Sequence, residues 1–277
     1  MTTPQSLAAV VGHPVAHSLS PKLHGHWLRR HRIDGHYIPL DIAPQHFETA
    51  IRALPKLGFK GINVTIPYKE TILPLADRIS DRAALIGAAN TISFREDRGI
   101  YADNTDGYGF IENLRQSGHA WMPRQGPALV VGAGGASRAV IASLIQAGVP
   151  EIRLTNRTRS RAETLKDRFG ARLKVIDWHQ MEDAIAECST IVNTTSLGME
   201  GGPELTLTFR KAAADVLVTD IVYTPLDTPF LRAAASAGLN TVDGLGMLLH
   251  QAAPGFEHWF GTTPAVDDDL RAAVLQG

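Results

Sequence analysis

An apolar run, a glycine turn and a helix-like stretch stand midway along the chain: Leu129-Val130-Val131-Gly132-Ala133-Gly134-Gly135-Ala136-Ser137. Glycines in such a turn let backbone N–H groups approach a pyrophosphate at the positive end of a helix, which makes this a candidate nucleotide site. A second apolar run, Ile152-Arg153-Leu154-Thr155, ends in Asn156-Arg157-Thr158, where the adenosine ribose of a dinucleotide would lie. An NAD-selective site usually places an acidic side chain there. Here stand Asn156 and Arg157, with Arg161 one helical turn further on. Two guanidinium forks suit a 2′-phosphate, so the cofactor expected is NADP rather than NAD. Ser137 takes the place of the usual third glycine. The same arginines also fit a solvated helix start, with Ser160 as N-cap and Glu163 closing a capping box.

Other polar segments follow apolar runs. Asn63-Val64-Thr65-Ile66-Pro67-Tyr68-Lys69 leaves the end of a strand-like run, the place where ligands sit in open α/β sheets. Taken alone, Lys69 also reads as a solvated lysine. Asp103-Asn104-Thr105-Asp106-Gly107 precedes a helical pattern through Phe110, Ile111 and Leu114, and equally fits an N-cap. Ser18-Leu19-Ser20-Pro21 fits a cap with proline opening the helix, or a pair of hydroxyls for a carboxylate or polyol.

Short β-like runs must position these groups. They cover residues 8–11, 37–40, 61–66, 91–94 and 99–102, then 129–131, 152–155, 191–193, 216–221 and 239–242, and they alternate with helical stretches. That alternation predicts an α/β protein with parallel sheets covered by helices. The expected organisation has two domains: an N-terminal α/β substrate domain of residues 1–104, completed by the helical segment 244–277, and a Rossmann-like, doubly wound NADP-binding domain of residues 105–243. Residues 118–126 read as a polar loop ahead of the nucleotide unit.

The chain has 277 residues, 44% hydrophobic and 20% charged, which suits two soluble domains. A formal net charge of −1 gives no basic excess for nucleic acid, and no apolar stretch reaches the ~20 residues that span a bilayer. Residues 7–11 lack the flanks of a signal peptide, and the single cysteine, Cys188, suits a reducing cytoplasm. Seven histidines precede residue 50, but no cysteine or carboxylate cluster joins them at ligand spacing, so no metal is expected.

The ordered set Gly12-His13-Pro14-Val15-Ala16-His17-Ser18-Leu19-Ser20-Pro21, the segment from Asn63 to Lys69, Ala88-Ala89-Asn90-Thr91, Asn104-Thr105-Asp106-Gly107, Asn193-Thr194-Thr195-Ser196 and Asp243-Gly244-Leu245-Gly246-Met247 closely resembles the shikimate dehydrogenases. It runs over nearly the whole chain and is far more specific than the glycine turn. The resemblance implies NADP-dependent, reversible reduction of 3-dehydroshikimate to shikimate, a step of aromatic amino acid biosynthesis. It implies Lys69 and Asp106 as the catalytic pair, with Lys69 either moving the proton or stabilising an alkoxide. Ser18, Ser20, Thr65, Asn90, Tyr223 and Gln251 are implied to bind substrate. Gly132, Ala133, Gly134, Gly135 and Ala136 are implied to take the pyrophosphate. Asn156, Arg157, Thr158 and Arg161 are implied to surround the 2′-phosphate, with Thr194, Ile221, Gly244 and Met247 also on the cofactor. A monomer or homodimer acting on a small molecule is expected. Gly25 and Ala102 depart from the common pattern at positions that carry none of these roles. Two rivals remain: a quinate/shikimate dehydrogenase of broader substrate or NAD use, and a non-catalytic sensor on the same scaffold.

Overall fold

Small and β-branched residues bounded by glycine, proline and polar turns build two six-stranded sheets among the described residues of the computed structural model, which are 5–95, 97, 99–117 and 119–276. Gly118 and Gly277, the first residue of the expected polar loop and the last of the C-terminal segment, lie outside them. The chain divides into two units, Met1–Thr105 with Leu249–Gly277, and Asp106–Leu248.

The first unit holds β1 (Ser6–Gly12), α1 (Ser20–Arg30), β2 (Gly35–Asp41), α2 (Phe47–Ala53), β3 (Phe59–Val64), β4 (Arg78–Ile79), α3 (Asp81–Ile86), β5 (Thr91–Phe94) and β6 (Ile100–Asp103). Its sheet has the order β2-β1-β3-β5-β6-β4. The expectation of a parallel sheet is corrected here, because β5 runs antiparallel to both β3 and β6. Ala9, Val11, Ile62, Val64 and Ile92 point to one face, against Phe47, Ile51 and Ile72. Each such fully buried aliphatic side chain contributes about 1.5–3 kcal/mol. The other face is aromatic: Trp259 lies on Gly61, where an added Cβ would come within 2.0 Å of its Nε1.

The second unit opens with α4 (Asp106–Gln116) and continues through β7 (Ala128–Val131), α5 (Gly135–Ala147), β8 (Ile152–Thr155), α6 (Arg159–Phe169), β9 (Leu173–Val175), α7 (Met181–Ala184), β10 (Thr190–Asn193), β11 (Leu217–Asp220), α8 (Pro229–Ser236) and β12 (Asn240–Val242). All neighbours in its sheet, ordered β12-β11-β10-β7-β8-β9, are parallel. Counted from β7, that is the doubly wound nucleotide-binding order, whose switch point falls between β7 and β10. Alternation along β7 sends Val130 to a core with Phe110, Ile141 and Leu144, and Leu129 and Val131 to one with Met181, Ile185 and Phe230.

α9 (Leu245–Phe260) contains the unit boundary after Leu248, and α10 (Asp268–Leu275) closes the chain. The C-terminal stretch is anchored in the first unit: Trp27 Nε1 donates to the Ala265 carbonyl at 2.9 Å, and Arg30 pairs with Asp267 at 2.7 Å. No helix among the described residues is long and apolar enough to cross a membrane.

Candidate active site

In the first unit, strand direction decides which loops meet. β1 and β3 are parallel neighbours, so the Ser18–Ser20 loop and the Thr65–Lys69 loop leave the same edge of the sheet. Gly12 ends β1 where an added Cβ would lie 2.5 Å from Thr65 Cγ2, so only glycine lets the two loops close up. Because β5 is reversed, its first residues reach that same edge, and β6 ends there too. The backbone confirms the convergence. Val64 N donates to the Asn90 carbonyl at 2.9 Å, Ala89 N to the Lys69 carbonyl at 2.7 Å, and Asn90 N to the Asp103 carbonyl at 3.0 Å.

Side chains lock this edge. Thr105 N donates to Asn90 Oδ1 at 2.8 Å, Asn90 Nδ2 donates to Gln251 Oε1 at 3.0 Å, and Thr105 Oγ1 donates to the Gln251 carbonyl at 2.8 Å. Asn90 and Gln251, far apart in sequence, are therefore directly joined. Asp103 anchors the adjoining loop, accepting from Ser80 Oγ at 2.6 Å and from Asn104 N at 2.7 Å, and forming a two-pronged pair with Arg82. Burial alone would raise its carboxyl pKa, but the Arg82 and Ser80 bonds hold it below its ordinary value. Ser20 is buried, and its backbone N–H donates to Ser18 Oγ at 3.3 Å. Leu19, the N-cap residue of α1, makes no side-chain bond, and Ser18 Oγ takes the N–H of the helix's first residue. Lys69 is half-buried. Buried Asp106 opens α4 in the second unit, one residue beyond Thr105.

The second unit places Gly132 and Thr194 together at the switch point. Gly132 has φ +110°, and a Cβ there would lie 2.8 Å from both Thr194 Oγ1 and Thr195 Cγ2. Thr194 Oγ1 in turn donates to the Val131 carbonyl at 2.8 Å. Ala133 N donates to Asn156 Oδ1 at 3.1 Å, tying the glycine turn to the end of β8. Gly134 caps α5 without a side-chain bond, which leaves that helix end to an anion. A Cβ on Gly134 or Gly135 would meet nothing within 4 Å, so the turn, with Ala136 behind it, has open space before it. Ser137, in the third-glycine position, is buried and turns its hydroxyl onto the Gly134 carbonyl at 2.6 Å.

At the end of β8, Arg157, Thr158 and Arg161 are exposed. The expected helix start at Ser160 is corrected: α6 begins at Arg159 with Thr158 as N-cap, and Glu163 pairs with Arg159 at 2.9 Å instead of closing a capping box. Arg159 also pairs with Asp177 at 2.5 Å, whereas Arg157 and Arg161 form no ion pair among the described residues. Gly244 packs against Ile221, whose carbonyl would lie 2.5 Å from an added Cβ, and Met247 is buried in the same unit. Tyr223, two residues past Ile221, is half-buried, which raises its phenol pKa.

The model of the shikimate dehydrogenase substrate binding domain matches residues 10–92. That of shikimate / quinate 5-dehydrogenase matches residues 122–199, and that of the shikimate 5′-dehydrogenase C-terminal domain matches residues 244–274. A shikimate dehydrogenase (NADP(+)) of Paracoccus denitrificans is 60% identical, over 97% of this chain and 95% of its own. The chain belongs to the shikimate dehydrogenase family. Among solved structures, the Thermus thermophilus shikimate 5-dehydrogenase in complex with NADP(H) and shikimate is 36% identical with a TM-score of 0.87, covering 98% of each chain. The quinate dehydrogenase of Corynebacterium glutamicum in complex with NAD is 30% identical with a TM-score of 0.90, covering 98% of this chain and 99% of its own.

Within this family fold, two groups at the sheet edge escaped the reading of the sequence. Thr105, read as a cap, ties Asn90 to Gln251 through its N–H and its hydroxyl. Asn63, read as part of a motif, is buried and donates from Nδ2 to the Asn90 carbonyl at 3.1 Å. Their neighbours in sequence carry no trace of these long-range bonds.

Proposed function

We propose that this chain is an NADP-dependent shikimate dehydrogenase, reversibly reducing 3-dehydroshikimate to shikimate. The observation that carries the reading is the gathering of hydroxyl, amide and ammonium side chains at one edge of the mixed sheet, a donor-rich surface matched to a substrate bearing a carboxylate and several hydroxyls. Ser18 and Ser20 bind the carboxylate. Thr65, Asn90 and Gln251 bind the carboxylate or ring hydroxyls, and Tyr223 closes over the substrate.

The residues of the second unit fit NADP. No side chain caps α5 and open space lies before Gly134 and Gly135, so the turn from Gly132 to Ala136 suits a pyrophosphate. Arg157 and Arg161, without ion pairs among the described residues, together with Asn156 and Thr158, suit a 2′-phosphate. Thr194, Ile221, Gly244 and Met247 complete the cofactor's surroundings. When bound, the nicotinamide supplies or accepts the hydride. The chain must then handle one proton and one developing alkoxide. Lys69 and Asp106 serve that oxygen, Lys69 moving its proton or stabilising its charge and Asp106 orienting the hydroxyl.

The quinate dehydrogenase of Corynebacterium glutamicum, similar across the whole chain, supports a second reading with broader substrate use. Arg157 and Arg161 at the ribose position, with no acidic side chain there, speak against NAD, and a sensor would need no proton-handling pair. We assign the protein to the cytoplasm as a monomer or homodimer without nucleic-acid or membrane partners. The test is initial rates with shikimate or quinate, each with NADP or NAD. Shikimate with NADP should give the highest kcat/KM. A higher value for quinate or for NAD makes the second reading the correct one, and no turnover with any pair leaves the sensor.

A further inference from the structure

Tyr37 lies on β2 in register with Ala8 of β1, which is itself in register with Gly61 of β3. With only a methyl group and a hydrogen between, the phenol reaches over β1, and its hydroxyl donates to Asn63 Oδ1 at 2.7 Å. The His24 ring stacks on it at 3.9 Å and 7° and fixes its plane. Tyr37, Asn63 and His24 are all buried.

The bond from Tyr37 sets the amide of Asn63. With Oδ1 occupied as acceptor, Nδ2 turns to the Asn90 carbonyl at 3.1 Å and toward Thr91 Oγ1 at 3.4 Å. Asn90 is set in its turn: its Oδ1 takes Thr105 N at 2.8 Å, so Nδ2 faces Gln251 Oε1 at 3.0 Å. Gln251 Oε1 is thereby an acceptor within the protein, and its amide directs N–H groups elsewhere. One continuous path joins Tyr37 and Asn63 with Asn90 and Gln251, assigned to the substrate's oxygens.

We propose that Tyr37 and Asn63 are a positioning pair for substrate, holding Asn90 and Gln251 in register at the sheet edge. The inference rests on the functional reading above. Neither residue touches substrate. Each acts by fixing which atom of an amide or hydroxyl faces it.

Tyr37→Phe keeps the ring and its stack on His24 while removing the hydroxyl. Loss of one such hydrogen bond should raise KM for shikimate about three- to tenfold. kcat should stay within about twofold and KM for NADP unchanged. Asn63→Ala should show the same split, and adding Tyr37→Phe to it should cost little more, since both act on one path. An unchanged KM for shikimate overturns the proposal. So does a uniform loss in which melting temperature and kcat fall while both KM values rise together, the mark of a structural role alone. Calorimetric titration of shikimate into the cofactor-free protein separates the two levels. A wild type that does not bind shikimate overturns the functional reading and this one with it, whereas a wild type that binds with no better affinity than Tyr37→Phe overturns the positioning pair alone.

Discussion

Ser20 is buried at the start of α1 and Ser18 sits two residues before it, on a loop that leaves β1 beside Thr65. A hydroxyl donated to a carboxylate contributes ~1.5–3 kcal/mol, so Ser18→Ala and Ser20→Ala should each raise KM for shikimate by about ten- to a hundredfold and leave KM for NADP unchanged. Steady-state kinetics check this, and a lowered melting temperature with wild-type KM would return both serines to a purely structural role. His24 makes a different prediction. It is fully buried, neither ring nitrogen has a hydrogen-bond partner among the described residues, and burial pushes its pKa down to about 3. The unfolded chain therefore binds a proton that the folded one refuses between the ordinary value of 6.5 and about 3. Stability from this group is complete above that window and falls with pH inside it, by up to ~1.4 kcal/mol per unit. Denaturant titrations at a series of pH values should show a flatter acid limb in His24→Phe than in the wild type; equal slopes would mean that His24 is protonated in the folded state.

At the scale of elements, the nucleotide half is the more predictable part. Arg157→Ala removes a charge-assisted contact worth ~1.5–3 kcal/mol, so KM for NADP should rise about ten- to a hundredfold while that for NAD barely moves. Arg161→Ala should act in the same direction but less, being exposed at the start of α6. Equal losses with both cofactors would assign Arg157 to the fold or the adenine site. The glycine turn was legible because it is local: apolar run, glycines and helix start follow one another within ten residues of sequence. The direction of β5 was not, because four residues, Thr91–Phe94, carry no mark of whether they run with or against a neighbour. That reversal is what brings Asn90 to the edge with Lys69 and Thr65. β4 spans two residues and β9 three, too short for any period to register. The path from Tyr37 through Asn63 to Asn90 and Gln251 draws on four separate segments, so no window of sequence contains it.

At the scale of the whole molecule, the functional assignment divides between the two units: substrate groups are drawn from Met1–Thr105 and Leu249–Gly277, with Asp106 and Tyr223 as exceptions, and cofactor groups from Asp106–Leu248. Hydrogen exchange on the intact protein should follow that division. Shikimate should slow exchange in peptides covering residues 15–24, 63–70 and 88–105, and NADP in those covering 130–140 and 155–162, because bound ligand suppresses local opening where it binds. Protection by NADP confined to the first unit would reverse the assignment of the two halves.

The account stands on Lys69 serving the reacting oxygen of shikimate, and one assay reaches it directly: the initial rate of NADPH formation from shikimate and NADP at neutral pH, for the wild type and for Lys69→Ala side by side. The wild type should form NADPH, and the variant should be slower by ~10²-fold or more in kcat with a much smaller change in KM for shikimate. A wild type that forms no NADPH, or a variant that keeps a near-normal rate, would contradict it.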